Sequence, residues 1–278
     1  MDVSNILNSV MIISGMGLAF GLGLGYAGKK FAVEEDPKLE LIKEALPGAN
    51  CGGCGFVGCG EFAEAVLEGR AKANGCPVGG NNVAEKLADI LGIKVEKLEK
   101  MVAFVKCNGN HYKSNFKYEY YGISDCNIVA QLNGGIKGCE YGCIGIGTCV
   151  QACKFGALSL VDGIAVVDKE KCTACKACVN ACPKALIELI PYKNMVTVTC
   201  NSNDNGKTVK SNCQVGCIGC KLCMKACEFD AIVVENLLAK VDYSKCTLCY
   251  ECTKNSPTSA LNGLMSTYSI NIYIFFFF

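Results

Sequence analysis

A chain of 278 residues with a formal charge of +1 has room for two or three small domains, and its charge balance, with no basic run, excludes nucleic acid as a partner. Its 23 cysteines fall in CxxC and CxxCxxC groups, which are the spacings of metal ligands and not of a secreted disulfide framework. The segments that carry them are therefore expected in a reducing compartment.

Residues 6–28, ILNSVMIISGMGLAFGLGLGYAG, carry no charge and end at Lys29-Lys30. At about 1.5 Å per residue such a helix crosses a hydrocarbon core of roughly 30 Å. A cleaved signal peptide would be basic ahead of its apolar run. Here Asp2 precedes the run and the lysines follow it, which places the C-terminal part in the cytoplasm. The glycines between Gly15 and Gly28 argue against a buried soluble helix. Gly17, Gly21 and Gly25 share one helix face and would let a second membrane helix approach closely, unless they reflect simple glycine enrichment. Residues 1–30 thus read as a single-pass anchor in the plasma membrane.

A charged linker, KKFAVEEDPKLE, leads to ALPGANCGGCGFVGCGEFAEAVLEGRAKANGCPVGG. Cys51, Cys54, Cys59 and Cys76 form a CxxCx4Cx16C set. Glycines in the gaps allow the backbone to wrap a bulky inorganic core and offer amide hydrogens to its sulfides. Apolar periodicity predicts helices over Glu61–Ala71 and Val83–Leu91. Residues 31–100 are expected to be a small helical domain with one [4Fe-4S] cluster. Zinc is the competing occupant, but two Cys-rich halves and a hairpin knuckle, as in a zinc ribbon, are not evident.

Beyond residue 100 the chain repeats itself. CEYGCIGIGTCVQACKFGAL lies over CQVGCIGCKLCMKACEFDAI, so Cys139, Cys143, Cys149 and Cys153 fall on Cys213, Cys217, Cys223 and Cys227, and Ile146 lies opposite Cys220. Each copy continues with two short apolar segments, the second ending in Val-Asp, and a CxxCxxC run. These repeats, residues 101–195 and 196–278, resemble the two-cluster bacterial ferredoxin fold, in which the fourth cysteine of each run ligates the other cluster. That resemblance implies one cluster on Cys153, Cys172, Cys175 and Cys178, and another on Cys227, Cys246, Cys249 and Cys252. The partner cluster of the first repeat would use Cys143, Cys149 and Cys182, with Cys139 replacing the ligand lost at Ile146. The partner cluster of the second would use Cys217, Cys220 and Cys223; Ser256 stands where its crossing cysteine belongs. Cys213, the Ser256 oxygen and a three-cysteine cluster compete for that corner. Twenty cysteines over about five clusters leave Cys107, Cys126 and Cys200, the first and last at similar places in VKCNGN and VTCNSN, as buried thiols or cluster neighbours. Five clusters at −2 each would take the loaded chain to roughly −9.

No P-loop, HExxH or complete Rossmann fingerprint appears, and GMGLAFGLG lies within the apolar run. The single histidine, His111, has no evident acid–base partner, and FKYEYYG, Phe116–Gly122, reads as a strand. With many clusters and no substrate chemistry, the chain reads as an electron wire, with no catalytic residues of its own.

An anchor, a CxxCx4Cx16C helical domain and tandem cluster repeats, in that order over residues 1–260, resemble the B subunits of the Rnf complex, the ion-translocating ferredoxin:NAD⁺ oxidoreductase. The resemblance implies an α+β chain that accepts electrons from soluble ferredoxin. It would relay them through [4Fe-4S] clusters to integral and peripheral partner subunits, including flavin- and NADH-binding ones, coupled in the complex to Na⁺ or H⁺ translocation. The alternatives are a polyferredoxin of another membrane enzyme, such as a hydrogenase, and a zinc-rich scaffold. The chain departs from the family in lacking proline after Cys153 and Cys227, in Ser256 and in its ending, NIYIFFFF.

Overall fold

Free of charge until its last turn, the N-terminal segment forms one helix, α1 (Val3–Lys30), whose closing lysines suit the negative end of the helix dipole. The structure is a computed structural model that describes residues 3–31 and 36–263; NIYIFFFF lies outside the described residues. Within α1, Val10–Lys30 is long and apolar enough to cross a membrane and is not buried against the other described residues. Among those residues, a methyl group added at Gly17, Gly21 or Gly25 would meet nothing within 4 Å.

The helical domain begins at Asp36, whose carboxylate accepts from the Lys38 amide at 2.8 Å while Pro37 supplies the first residue of α2 (Pro37–Ala45). It continues through α3 (Cys59–Leu67) and α4 (Gly80–Leu91), which Gly92 ends in the left-handed conformation. Leu39, Ile42, Phe62 and Leu87 are buried together between the three helices. Helix α3 stops earlier than its apolar pattern suggests, because Gly69 at φ 77° turns the chain away.

Each repeat folds as a closed α+β unit. In the first, β1 (Met101–Val105) pairs antiparallel with β4 (Ile187–Pro191), so the ends of the repeat meet, with Val105 opposite Ile187. A hairpin of β2 (Leu158–Val161) and β3 (Ile164–Val167) lies between them, its turn made by Asp162 and Gly163 at positive φ. In the second repeat β5 (Val196–Val198) pairs with β8 (Leu261–Gly263), placing Val198 opposite Leu261. The hairpin there joins β6 (Ile232–Glu235) to β7 (Leu238–Val241) through Asn236 and Leu237. Short helices α6 (Thr148–Gln151), α7 (Ala177–Ala181), α9 (Leu222–Lys225) and α10 (Glu251–Lys254) follow the cysteine loops.

Between its first strand and first cysteine loop each repeat carries an insertion, with α5 (Cys126–Gln131) in one and α8 (Gly206–Asn212) in the other. The two insertions interlock. The Asn115 amide donates to Asn212 at 2.9 Å, Gln214 to Lys113 at 2.8 Å and Asn108 to Thr199 at 3.1 Å. Phe116–Gly122 is a loop and not the expected strand: only Phe116 makes a bridge, to Lys137. The tyrosines that suggested a strand instead pin the loop through their hydroxyls, Tyr118 to Leu132 O at 2.6 Å and Tyr120 to Ile123 O at 3.1 Å. His111 is exposed and stacks on Phe116 at 5.1 Å.

Candidate metal centres

Four cysteine loops share one unusual backbone. In the loops that start at Cys143, Cys172, Cys217 and Cys246, the second and fourth following residues all have positive φ: Gly145 and Gly147, Ala174 and Lys176, Gly219 and Lys221, Leu248 and Tyr250. Left-handed residues without glycine cost about 1–3 kcal/mol each and persist where the surroundings demand them. Alternating right- and left-handed residues turn successive amide hydrogens toward one concavity, which suits an anionic core. The loop from Cys143 keeps this shape although Ile146 replaces its middle cysteine.

The described cysteines ring six sites. At site 1, Cys51, Cys54, Cys59 and Cys76 line one cavity with Phe62, Leu46 and Pro47. At site 2, Cys153, Cys172, Cys175 and Cys178 line another. Thr173 lies on the same wall, and its hydroxyl is buried without a partner among the protein groups. Site 6 gathers Cys227, Cys246 and Cys249 around Cys252, whose thiol is pushed up to about 11 by burial and then by those three neighbours and Cys223. At site 5, Cys217, Cys220 and Cys223 share a cavity with Ser256.

The other two sites differ from the expected ligand sets. Site 3 is lined by Cys143, Cys149, Cys182 and Cys126, and Cys139 does not line it. Cys126 starts α5, capped by Asp125, and its amide donates to Thr148 Oγ1 at 2.7 Å, which ties it to the helix that carries Cys149. Burial lifts the Cys149 thiol to about 12, with Cys143, Cys182, Cys126 and Cys178 adding to the effect.

Site 4 lies between the interlocked insertions and is lined by Cys107, Cys139, Cys200 and Cys213. Cys139 thus lines this cavity and not the one with Cys143, Cys149 and Cys182, and Cys213 lines this cavity and not the one with Ser256. The insertions turn both thiols to the junction, where Ser114 pairs with Cys213 and the thiols of Cys107 and Cys213 both act on Cys139. Lys137, only 3% exposed, lines the same cavity and donates to Gly109 O at 2.8 Å and Gly163 O at 2.9 Å. Cys107 and Cys139 come from one repeat, Cys200 and Cys213 from the other. All 23 cysteines are thus placed, four at each site except site 5, where three share the cavity with Ser256.

These donors fit cubane clusters better than single ions. Zinc–sulfur bonds of about 2.3 Å would draw four thiolates to within about 4 Å of one another. Among the described residues no three His, Cys, Asp or Glu side chains converge closely enough to hold one ion. They stand instead around cavities with thiols, amide-rich loops and, at site 2, a free hydroxyl, which are the groups that hold and tune iron–sulfur clusters. Burial lifts the Cys143 and Cys178 thiols to about 11 and Cys200 to about 12. A buried thiol becomes a thiolate only where bound metal compensates its charge, so loading releases protons.

The sites adjoin one another in a line. A methyl group at Gly53, in the site 1 loop, would stand 3.0 Å from Cys175 O at site 2. Cys178 of site 2 acts on Cys149 of site 3. The Cys143 amide of site 3 donates to Cys107 Sγ of site 4 at 3.3 Å. The Cys217 amide of site 5 bonds to Cys200 of site 4, and Cys223 of site 5 acts on Cys252 of site 6.

Such a line of iron–sulfur sites on ferredoxin-like units defines an electron-transfer protein. Residues 46–78 match the family described as "Putative Fe-S cluster", and residues 165–188 and 216–230 match two families described as "4Fe-4S binding domain". The chain is 45% identical to the B subunit of the ion-translocating oxidoreductase complex of Methanosarcina acetivorans, over 93% of its own length and 98% of that protein. It is 46% identical to the B subunit of the Na⁺-translocating ferredoxin:NAD⁺ oxidoreductase complex of Acetobacterium woodii, over 93% of this chain and 78% of that one. With the proton-translocating counterpart of Clostridium ljungdahlii it shares 42% over 95% and 94%. The chain belongs to the family of B subunits of ion-translocating oxidoreductase complexes.

Proposed function

We propose that this protein carries electrons from reduced ferredoxin along six [4Fe-4S] clusters, one at each site, toward the membrane subunits of a ferredoxin:NAD⁺ oxidoreductase that moves Na⁺ or H⁺. The single observation that carries this reading is the unbroken adjacency of sites 1 to 6. Bound clusters supply one-electron chemistry; the chain supplies thiolates, amide hydrogens and a dry path between neighbouring sites. Helix α1 anchors the chain as a single pass with residues 31–278 on the cytoplasmic side, which holds site 1 nearest the membrane and site 6 farthest from it in sequence. The units are residues 1–30, 31–100, 101–195 and 196–278. Flavin- and NADH-binding subunits carry the chemistry at the other end of the complex.

Ferredoxin docks near site 6 in this reading, where Cys249 is exposed. In anaerobically purified full-length protein, Cys249→Ala is expected to slow reduction by reduced ferredoxin at least tenfold. Cys54→Ala is expected to leave that first reduction unchanged and to stop electrons from reaching the complex. Equal loss of ferredoxin reduction in both variants would overturn the proposed direction.

A further inference from the structure

Site 5 and site 3 occupy equivalent places in the two repeats. Much of the two cavity walls corresponds: Cys143, Ile144, Cys149, Leu160 and Ala165 at site 3 stand where Cys217, Ile218, Cys223, Val234 and Ala239 stand at site 5, while Cys126 lines only the first and Cys220 only the second. Cys182-Pro183 is matched by Ser256-Pro257. The backbone at the two positions is held alike. Cys182 donates to Val179 O at 3.4 Å and its carbonyl accepts from Ala185 at 3.1 Å; Ser256 donates to Thr253 O at 3.3 Å and its carbonyl accepts from Ser259 at 3.4 Å. The Ser256 side chain thus starts from the corner that Cys182 fills, and its Oγ accepts from the Leu261 amide at 3.4 Å. Cys200 and Cys213 line site 4 and not this cavity.

We infer that site 5 is a mixed-donor cluster site in which Ser256 Oγ takes the fourth corner beside the thiolates of Cys217, Cys220 and Cys223, making one iron more readily lost than any other in the chain. The inference rests on the cluster reading given under Proposed function. On loading, the Ser256 hydroxyl gives its proton to solvent and an Oγ–Fe bond forms in place of a thiolate–iron bond. Iron in sulfide clusters favours soft sulfur donors, so the oxygen-bound iron is held least firmly. Cys220, on the same cavity, is exposed, which gives an oxidant access. With a one-electron oxidant such as ferricyanide, the [4Fe-4S]²⁺ core yields [3Fe-4S]⁺ and Fe²⁺ while one electron passes to the oxidant. The Oγ–Fe bond breaks and Oγ regains a proton from water.

The test compares wild type, Ser256→Cys and Ser256→Ala as full-length, anaerobically reconstituted protein, reading released iron and the EPR signal of [3Fe-4S]⁺ before and after stoichiometric ferricyanide. Wild type is expected to release one iron per chain on oxidation with a matching three-iron signal. Ser256→Cys should suppress both at least tenfold, and Ser256→Ala should already lack about one iron per chain before any oxidant is added and give the three-iron signal on oxidation with no further iron released. A Ser256→Cys protein that releases iron like wild type, or a Ser256→Ala protein that behaves like wild type throughout, overturns the assignment. Wild type that yields no three-iron signal overturns it as well. Protein that carries zinc and little iron would instead refute the cluster reading itself.

Discussion

Single residues decide how the sites are shared. Cys126, read from sequence as a spare thiol, stands at site 3 with its amide held by Thr148. Cys126→Ala is therefore expected to lower the iron content by at least about one atom per chain through the loss of a site 3 corner, by iron analysis. An unchanged iron content would return that corner to Cys139. Lys137 is the one buried lysine at site 4, with two carbonyl partners. Lys137→Met should destabilise the junction by about 2–3 kcal/mol, the worth of hydrogen bonds to a charged group. The same change removes a positive charge that favours the reduced, more negative cluster, so the site 4 midpoint should become more negative in a redox titration. The local spacings read from the sequence put Cys51, Cys54, Cys59 and Cys76 on one cavity, and Cys172, Cys175 and Cys178 with Cys153 on another. Site 4 was not legible in this way. Its ligands come in pairs from two repeats, and alignment of a repeat on itself shows equivalent residues without showing that they face each other. The usable signal was that Cys107 with Cys200, and Cys139 with Cys213, are two matched pairs.

At the scale of elements, the repeated hairpins and strand closures followed from short apolar segments and the duplicated cysteine pattern. The inserted segments escaped because their order comes from cross-repeat hydrogen bonds and not from periodicity. Phe116–Gly122 has strand-like composition but no neighbouring strand to pair with. The two hairpin turns make a physical comparison: Asp162-Gly163 suits positive φ, whereas Leu237 holds φ 64° at a cost of about 1–2 kcal/mol. Leu237→Gly should stabilise the β6–β7 hairpin by roughly 1 kcal/mol after glycine's own entropic cost, seen as slower amide exchange over residues 232–241. Faster exchange would show that the Leu237 side chain contributes more by packing than its backbone costs. Gly53 matters for a different reason, since an added methyl group would meet Cys175 O at 3.0 Å and Pro77 Cγ at 2.9 Å. Gly53→Val is expected to push the helical domain off the first repeat and to slow electron transfer between sites 1 and 2, with both clusters retained. Unchanged transfer in freeze-quench EPR would place the route elsewhere.

Over the whole molecule, the duplication gathers cysteines of both ferredoxin-like units, Cys107 and Cys139 from one and Cys200 and Cys213 from the other, around one cavity at their junction. That cavity adjoins site 3 through the Cys143 amide and Cys107 Sγ, and site 5 through the Cys217 amide and Cys200. With it, each site has a neighbour on either side except at the ends. Among the described residues none packs on the glycine face of helix α1, consistent with an anchor that meets other membrane helices. The central claim is the shared site, and it is tested by iron and sulfide analysis of anaerobically prepared wild type against the double variant Cys139→Ala, Cys213→Ala. Six sites at four iron each predict about 24 iron atoms per chain, falling to about 20 when both cysteines belong to one junction cluster. A fall twice as large, about eight iron atoms, would mean that the two cysteines serve two separate clusters and would contradict the account.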